Sequence, residues 1–87
     1  SVSLRLVRVY APETYKPKDA TEKKNGQLVA AFLTSRLQAG EAITVVTSKD
    51  KTEKYGRYLA EVWDSDGNVN DAILQFMVGQ GIPSNKK

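Results

Sequence analysis

Three charged side chains in this sequence interrupt apolar stretches and could act together on a phosphate group. Arg5 lies within the first strand-like run, Glu13 follows the end of that run, and Arg57 directly precedes a later run. Guanidinium groups present planar forks that match phosphate oxygens, and they stay charged at any biological pH. A carboxylate between two of them could orient or deprotonate a water for in-line attack on phosphorus, with a divalent ion neutralising the developing charge. These residue types therefore predict a site that grips and cleaves a phosphodiester.

The same residues have a structural alternative. An unpaired guanidinium in a half-buried sheet is costly, so Arg5 requires an anionic partner. A structural Arg–Glu pair beside a solvated charge would satisfy that requirement without any chemistry, and exposed ion pairs of this kind are common. Both interpretations stay open on the residues alone, because they differ only in whether the three side chains converge.

The composition limits which chemistry is available. The chain has 87 residues, the length of one small domain, and it contains no cysteine and no histidine. Acid–base chemistry must therefore use carboxylates, Lys, Arg, Tyr or water, and any metal must be a hard, oxygen-liking ion. The net charge of +3 is compatible with nucleic acid as a partner, and equally with ordinary solubility. No stretch approaches the roughly 20 apolar residues of a membrane span, so we expect no membrane partner.

The first half of the chain is predicted to contain one strand and one helix. Residues 2–9 alternate between apolar and polar before Pro12 and predict a strand with one buried face and a bulge near its end. The Lys-rich residues 15–26 predict a solvated loop. From Gln27 the spacing becomes helical, with Gly40 as the C-cap, and one apolar face should pack in the core: Val29, Phe32, Leu33 and Leu37.

The second half is predicted to add strands and a second helix. Residues 42–47 are rich in β-branched types and predict a buried strand, and residues 58–63 predict another, followed by a turn and a short strand. Asn70 is the expected N-cap of the last helix, with Val69 and Leu74 as its hydrophobic staple. The element order predicts an α+β fold with a non-local sheet, although a closed barrel usually needs five strands.

Two segments resemble the staphylococcal nuclease-like (thermonuclease) family. Residues 4–14 (Leu-Arg-Leu-Val-Arg-Val-Tyr-Ala-Pro-Glu-Thr) are similar to a family strand and turn in which Glu follows Arg by eight residues. Residues 54–60 (Lys-Tyr-Gly-Arg-Tyr-Leu-Ala) resemble the family segment Asp-Lys-Tyr-Gly-Arg-x-Leu-Ala. Residues 67–81 and the helix from Gln27 are similar as well, so the resemblance covers essentially the whole chain in order.

The resemblance implies an oligonucleotide-binding (OB) fold, a five-stranded barrel packed with helices, and Ca²⁺-dependent endonuclease activity on DNA and RNA. By position, Arg5 and Arg57 would hold the scissile phosphate and stabilise the transition state. Glu13 would act on the attacking water as base or orienter. Lys54 and Tyr55 match positions that contact a neighbouring phosphate. Single-stranded DNA or RNA is therefore the expected partner.

The sequence also departs from the family at the metal. The family holds its Ca²⁺ with two aspartates and a backbone carbonyl, and the aspartate of the turn is replaced here by Tyr10, whose phenol is a poor ligand for Ca²⁺ at neutral pH. Ala11 could still supply the carbonyl. The other aspartate belongs to a family hairpin that has no counterpart in this sequence, and the final family helix has none either. Residues 1–87 are thus expected to form one domain, a partial OB-fold truncated at both ends relative to the family.

These departures leave three functions open. The chain could be a nuclease whose barrel is completed by another chain or by upstream sequence. It could be a non-catalytic relative that binds nucleic acid or a protein, or a remodelled domain that has lost the family's function. Missing strands would leave unpaired sheet edges, so we also expect a homo-oligomer formed by edge-strand pairing.

Overall fold

The computed structural model describes residues 4–12, 16–38, 40–49 and 58–84. Within these ranges the helices and strands are β1 (Leu4–Leu6), α1 (Ala20–Arg36), β2 (Thr44–Lys49), β3 (Tyr58–Asp64), β4 (Gly67–Asn68) and α2 (Val69–Gly79). Two helices and one mixed sheet confirm the predicted α+β fold. No helix in the described part of the chain is long and apolar enough to cross a membrane.

The sheet is built around β3. Its strand order is β1-β3-β2, and the short β4 pairs with the end of β3. β1 runs parallel to β3 with Arg5 opposite Leu59, whereas β2 runs antiparallel to β3 with Val45 opposite Val62. Among the described residues the sheet is open, with β1 and β2 at its edges, as a partial OB-like domain requires.

The core lies between β3 and the two helices. α2 packs against both β3 and α1, and the rings of Phe32 and Phe76 stack between the helices with centroids 4.4 Å apart. The apolar face predicted for the first helix, from Val29 to Leu37, does pack into this core, which confirms its periodicity. The buried hydrophobic residues of the core are Val9, Val29, Ala60, Val62, Val69, Ile73, Met77 and Ile82.

A fully buried asparagine joins β1, β3 and α2. The Asn70 side chain accepts a hydrogen bond from the Val62 amide at 3.0 Å and donates to the carbonyls of Val7 at 2.9 Å and Ala60 at 3.0 Å. β1 ends at Leu6. Beyond that residue, the side-chain amide of Asn70 bridges the Val7 carbonyl and the Val62 amide of β3. Both polar ends of Asn70 are thereby satisfied in the core, as burial demands.

The predicted N-cap of α2 is wrong by two residues. Asn68 caps the helix, its side chain accepting a hydrogen bond from the Asp71 amide at 2.8 Å, and α2 begins at Val69. Since Val69 is the first helical residue, the expected staple between Val69 and Leu74 is wrong too. Both asparagines have the chemistry of a cap, and long-range bonds, which local sequence does not reveal, recruit Asn70 to the core instead.

The start of α1 also differs from the prediction. The helix begins at Ala20, within the segment expected to be a loop. Asp19 caps it by accepting a hydrogen bond from the Glu22 amide at 2.8 Å, and the Glu22 carboxylate accepts one from the Lys18 amide. Lys, Glu and Ala are good helix formers, so this exposed turn needs no apolar stripe. The helix ends at Arg36 rather than near Gly40.

The strand predicted to be buried is exposed. β2 covers Thr44–Lys49, and each of its residues is exposed to solvent. Its β-branched composition does produce a strand, but α2 packs over β3 and α1 packs against α2, and β2 stays exposed. The first strand is shorter than predicted, because Arg8 adopts a left-handed backbone with φ of +68° and turns the chain away from the sheet.

Replacing Asn70 should be far more damaging than replacing Asn68. Asn70→Ala leaves the Val62 amide and the Val7 carbonyl without their Asn70 partner, while the Ala60 carbonyl keeps its hydrogen bond from the Val7 amide, and it should reduce the free energy of unfolding by about 3 kcal/mol or more. Asn68→Ala, the matched control, removes a helix cap and one hydrogen bond to Glu61 but leaves no fully buried group without a partner, and it should cost about 1–2 kcal/mol. Urea denaturation of the two variants measures both values. Equal losses would contradict the role given to Asn70.

A bidentate ion pair joins the end of α1 to the end of β3. Arg36 Nε lies 2.5 Å from Asp64 Oδ2, and Arg36 Nη2 lies 3.1 Å from Oδ1. The Asp64 side chain is only 1% exposed. The hydrogen bond from Arg36 lowers the pKa of Asp64, against the opposing effect of burial, and the Asp66 amide contributes in the same direction as Arg36.

The pKa of Asp64 makes part of the stability pH-dependent. A carboxylate whose folded-state pKa is lowered stabilises the fold above its unfolded pKa of about 3.9, and that contribution is lost as the pH falls through the folded-state pKa. Asp64→Asn should therefore be less stable than the wild type at neutral pH, and the difference should narrow below about pH 4. Urea midpoints from pH 2 to 7 test this, with Asp66→Asn in the adjacent exposed turn as the control. A difference that stays constant with pH would contradict the assignment.

Candidate functional site

Arg5 is placed by the middle of β1. This side chain is half-buried, and its guanidinium carbon lies 4.7 Å from the centroid of the Tyr10 ring. A guanidinium at this distance from an aromatic face is attracted by the ring quadrupole. The residue that replaces the family aspartate is therefore in contact with the predicted phosphate-binding arginine.

The turn between β1 and Tyr10 is held by Arg8. Its two terminal nitrogens donate to the two Glu61 oxygens at 2.8 Å, and Nη2 also donates to Asp71 Oδ1 at 2.8 Å. These bonds tie the end of β1 to β3 and to the start of α2. The buried residues Val9 and Pro12 anchor the chain on either side of Tyr10.

This cluster sets one positive charge, on Arg8, against two negative charges, on Glu61 and Asp71. The bonds to Glu61 and Asp71 raise the pKa of Arg8, and the bonds from Arg8 and Asn68 lower the pKa of Glu61. Arg8 is thus committed to two carboxylates and contributes to the architecture of the turn. Nothing in the local spacing predicts this cluster, because its members are 53 and 63 residues apart in the chain.

The described residues do not fit the Ca²⁺ site that the resemblance implies. Tyr10 offers a phenol in place of a carboxylate, and its ring lies against Arg5. Among the residues that the structure describes, no group of three or more His, Cys, Asp or Glu side chains could hold a metal ion. The nearby carboxylates of Glu61 and Asp71 are engaged with Arg8. Ala11 is half-buried, and its carbonyl alone would be an insufficient site.

The structure places part of the predicted site. Arg5 and Ala11 are described, whereas the other predicted residues lie outside the described ranges: Glu13, Lys54, Tyr55 and Arg57. The structure does describe residues next to two of them in the sequence. Pro12, which precedes Glu13, is buried, and Tyr58, which follows Arg57, is the first residue of β3 and lies opposite Leu4. Convergence of Arg5, Glu13 and Arg57, the three side chains predicted to act on a phosphate, therefore stays a prediction.

A separate cleft of about 370 Å³ lies between Pro12, the start of α1 and residues 81–84. Lys18 shares its lining with Asp19 and Glu22, so its charges are mixed rather than uniformly cationic. Both acidic side chains are occupied in capping α1. Arg5 does not line this cleft, which therefore adds nothing to the phosphate site.

Comparisons with known proteins agree with the two sequence motifs. Residues 3–85 match the model of the family described as Staphylococcal nuclease homologue. A curated relative, Endonuclease YhcR of Bacillus subtilis (strain 168), is 36% identical over 80 residues, which cover 86% of this chain and 7% of the relative. No solved structure matches the chain at a significant level. With nearly all of its residues matched in order, the chain belongs to the staphylococcal nuclease-like family.

Proposed function

We propose that this chain is a nuclease domain that binds phosphodiesters of DNA or RNA and hydrolyses them. The observation that carries the proposal is the parallel pairing of β1 with β3, which sets Leu4 opposite Tyr58 and Arg5 opposite Leu59. The strand that bears Arg5 thus runs beside the strand whose first residue follows Arg57 in the chain. Family membership and the endonuclease name of one relative support the same function.

The proposed chemistry uses the side chains of this chain. Arg5 and Arg57 grip the non-bridging oxygens of the phosphate and stabilise the charge that develops on them. Glu13 accepts a proton from the attacking water, the P–O bond to the leaving oxygen breaks, and that oxygen takes up a proton from solvent. Lys54 and Tyr55 contact a neighbouring phosphate. No step is assigned to Ca²⁺, because the described residues do not fit it.

Nucleic acid in single-stranded form is the proposed substrate. The net charge of +3 favours a polyanion, and phosphate contacts make such binding weaken as the salt concentration rises. The site proposed here contacts phosphates and assigns no side chain to a base edge, so it should act on many sequences.

Removing the general base tests the catalytic proposal. Glu13→Gln keeps the size of the side chain and removes its basicity, so cleavage of a labelled single-stranded oligonucleotide should slow about 100-fold or more. Glu22→Gln, a change of the same type at the start of α1, is the matched control and should cleave at the wild-type rate.

Binding measured on the same samples separates chemistry from affinity. Both variants should bind the oligonucleotide as the wild type does, with affinity that falls as salt rises. Equal cleavage by Glu13→Gln and Glu22→Gln would contradict the role of Glu13, and affinity that ignores salt would contradict the phosphate contacts.

A second candidate function is binding of nucleic acid without cleavage. The contact between Tyr10 and Arg5 favours it, since an aromatic ring occupies the position at which the family places a metal-binding carboxylate. In this case the wild-type chain would bind the oligonucleotide and leave it intact. Restoring the carboxylate distinguishes the two candidates.

Tyr10→Asp should create a Ca²⁺ ligand beside the Ala11 carbonyl. We expect at least about tenfold tighter Ca²⁺ binding in a calorimetric titration, because each added carboxylate charge strengthens an oxygen site. Tyr10→Asn has a similar size without the charge and is the control. Under the second candidate, cleavage with Ca²⁺ appears only in Tyr10→Asp, whereas wild-type cleavage supports the first. Identical titrations for all three proteins would contradict the metal position assigned to residue 10.

A further inference from the structure

The turn after β1 is attached to two other elements by one side chain. Arg8 donates to both Glu61 oxygens on β3 and to Asp71 Oδ1 on α2, each at 2.8 Å. Glu61 also accepts a hydrogen bond at 2.9 Å from the side-chain amide of Asn68, the residue that caps α2. A guanidinium that binds one carboxylate through two parallel hydrogen bonds and a second carboxylate through a third has little rotational freedom. Arg8 is therefore fixed relative to both β3 and α2.

This attachment helps to determine where Tyr10 lies. The Val9 amide donates to the Leu6 carbonyl at 3.2 Å, so the chain turns directly after β1, with Arg8 inside the turn. Tyr10 follows two residues after Arg8 and lies between Val9 and Pro12, which are both buried. The segment that carries Tyr10 is thus held by an ion-pair network at its start and by apolar burial on either side of the ring.

Tyr10 in turn contacts the guanidinium of Arg5, whose carbon lies 4.7 Å from the ring centroid. The ring quadrupole attracts the cation and limits its orientations, and a binding group that is ordered in advance loses less entropy when its ligand arrives. Arg5 is opposite Leu59, and Glu61 follows two residues later on β3, so Arg5 and Glu61 lie on the same face of the sheet. Contacts therefore run along this face from Glu61 through Arg8 and Tyr10 to Arg5.

We propose that Arg8 is a positioning residue that acts through Tyr10 on Arg5, so that Arg5 binds a phosphate without help from a divalent cation. The inference rests on the proposed function, in which Arg5 binds a phosphate of DNA or RNA. The family resemblance would have a Ca²⁺ ion attach the turn at residues 10 and 11. In this chain Arg8 attaches the same turn through two carboxylates of the protein, and Tyr10 places a ring against Arg5. A site ordered by its own side chains does not need an ion for its shape.

The NMR shift of the Arg5 side chain reports the positioning directly and requires no nucleic acid. The ring current of Tyr10 should move the Arg5 δ-protons upfield in the wild type, and Tyr10→Leu gives the shift without the ring. Arg8→Met should move the shift most of the way to the Tyr10→Leu value, because the turn loses its attachment. Asp71→Asn, a milder change at an exposed side chain, should move it less in the same direction. Arg36→Met removes the same charge and the other bidentate pair, and it should leave the shift unchanged.

Binding of single-stranded tetrathymidylate tests the consequence for the phosphate site. The wild-type dissociation constant should agree within about twofold between Ca²⁺ and excess chelator at equal ionic strength. Arg8→Met should weaken binding about threefold relative to Arg36→Met, which loses the same charge, and Tyr10→Leu should weaken it about threefold relative to the wild type. Adding Tyr10→Leu to Arg8→Met should weaken binding no further, because Arg8 acts through Tyr10. Circular dichroism checks that every variant is folded.

Either of two results would overturn the inference. An Arg5 shift that is unchanged in both Arg8→Met and Asp71→Asn would show that Arg8 does not position Arg5. Wild-type binding that tightens about tenfold or more with Ca²⁺ would show that an ion completes the phosphate site. A wild type that binds no tetrathymidylate in either buffer would contradict the proposed function and the cation-independent phosphate site with it, and the Arg5 shifts would still decide the positioning role of Arg8 on their own.

Discussion

The buried side chain of Asn70 is the constraint on which the rest of this fold depends. β1 is three residues long and parallel to its partner, so its own ladder is short. The Asn70 amide extends that ladder by binding the Val7 and Ala60 carbonyls and the Val62 amide. It also fixes α2 against the sheet, because Asn70 belongs to the first turn of that helix. The position of Arg5 is thus set by a residue 65 positions later in the chain.

Arg5 and Arg8 are three residues apart in the chain and have different partners. Arg8 binds two carboxylates and shapes the turn that leads to Tyr10, whereas Arg5 lies over the Tyr10 ring within β1. The sequence shows only two arginines three residues apart, and either could serve a phosphate. Their partners distinguish their roles. The Arg8 guanidinium already donates hydrogen bonds to two carboxylates, so few of its N–H groups remain to bind a further anion.

The sequence correctly predicts features that depend on local residue patterns. Its predictions are wrong where contacts between distant residues determine burial or hydrogen bonding. The apolar spacing from Val29 to Leu37 correctly identifies a packed helix face, and the two motifs correctly identify the family. The exposure of β2 could not be predicted, since it depends on which strand α2 packs against. Predicting that Asn68 rather than Asn70 caps α2 likewise requires knowing that backbone groups of β3 and Val7 lie within hydrogen-bond distance of Asn70. In the candidate site, the sequence correctly predicted that Arg5 lies in a strand. Nothing in the sequence pattern predicted its contact with the Tyr10 ring.

The left-handed backbone of Arg8 makes this position intolerant of substitution. Glycine would adopt a φ of +68° without steric cost, but it would abandon Glu61 and Asp71. Lysine would keep a positive charge, yet its single ammonium lacks the planar fork that binds both Glu61 oxygens at once. Asparagine suits the backbone and is too short to reach either acid. None of the other nineteen amino acids therefore combines this backbone conformation with both contacts of Arg8.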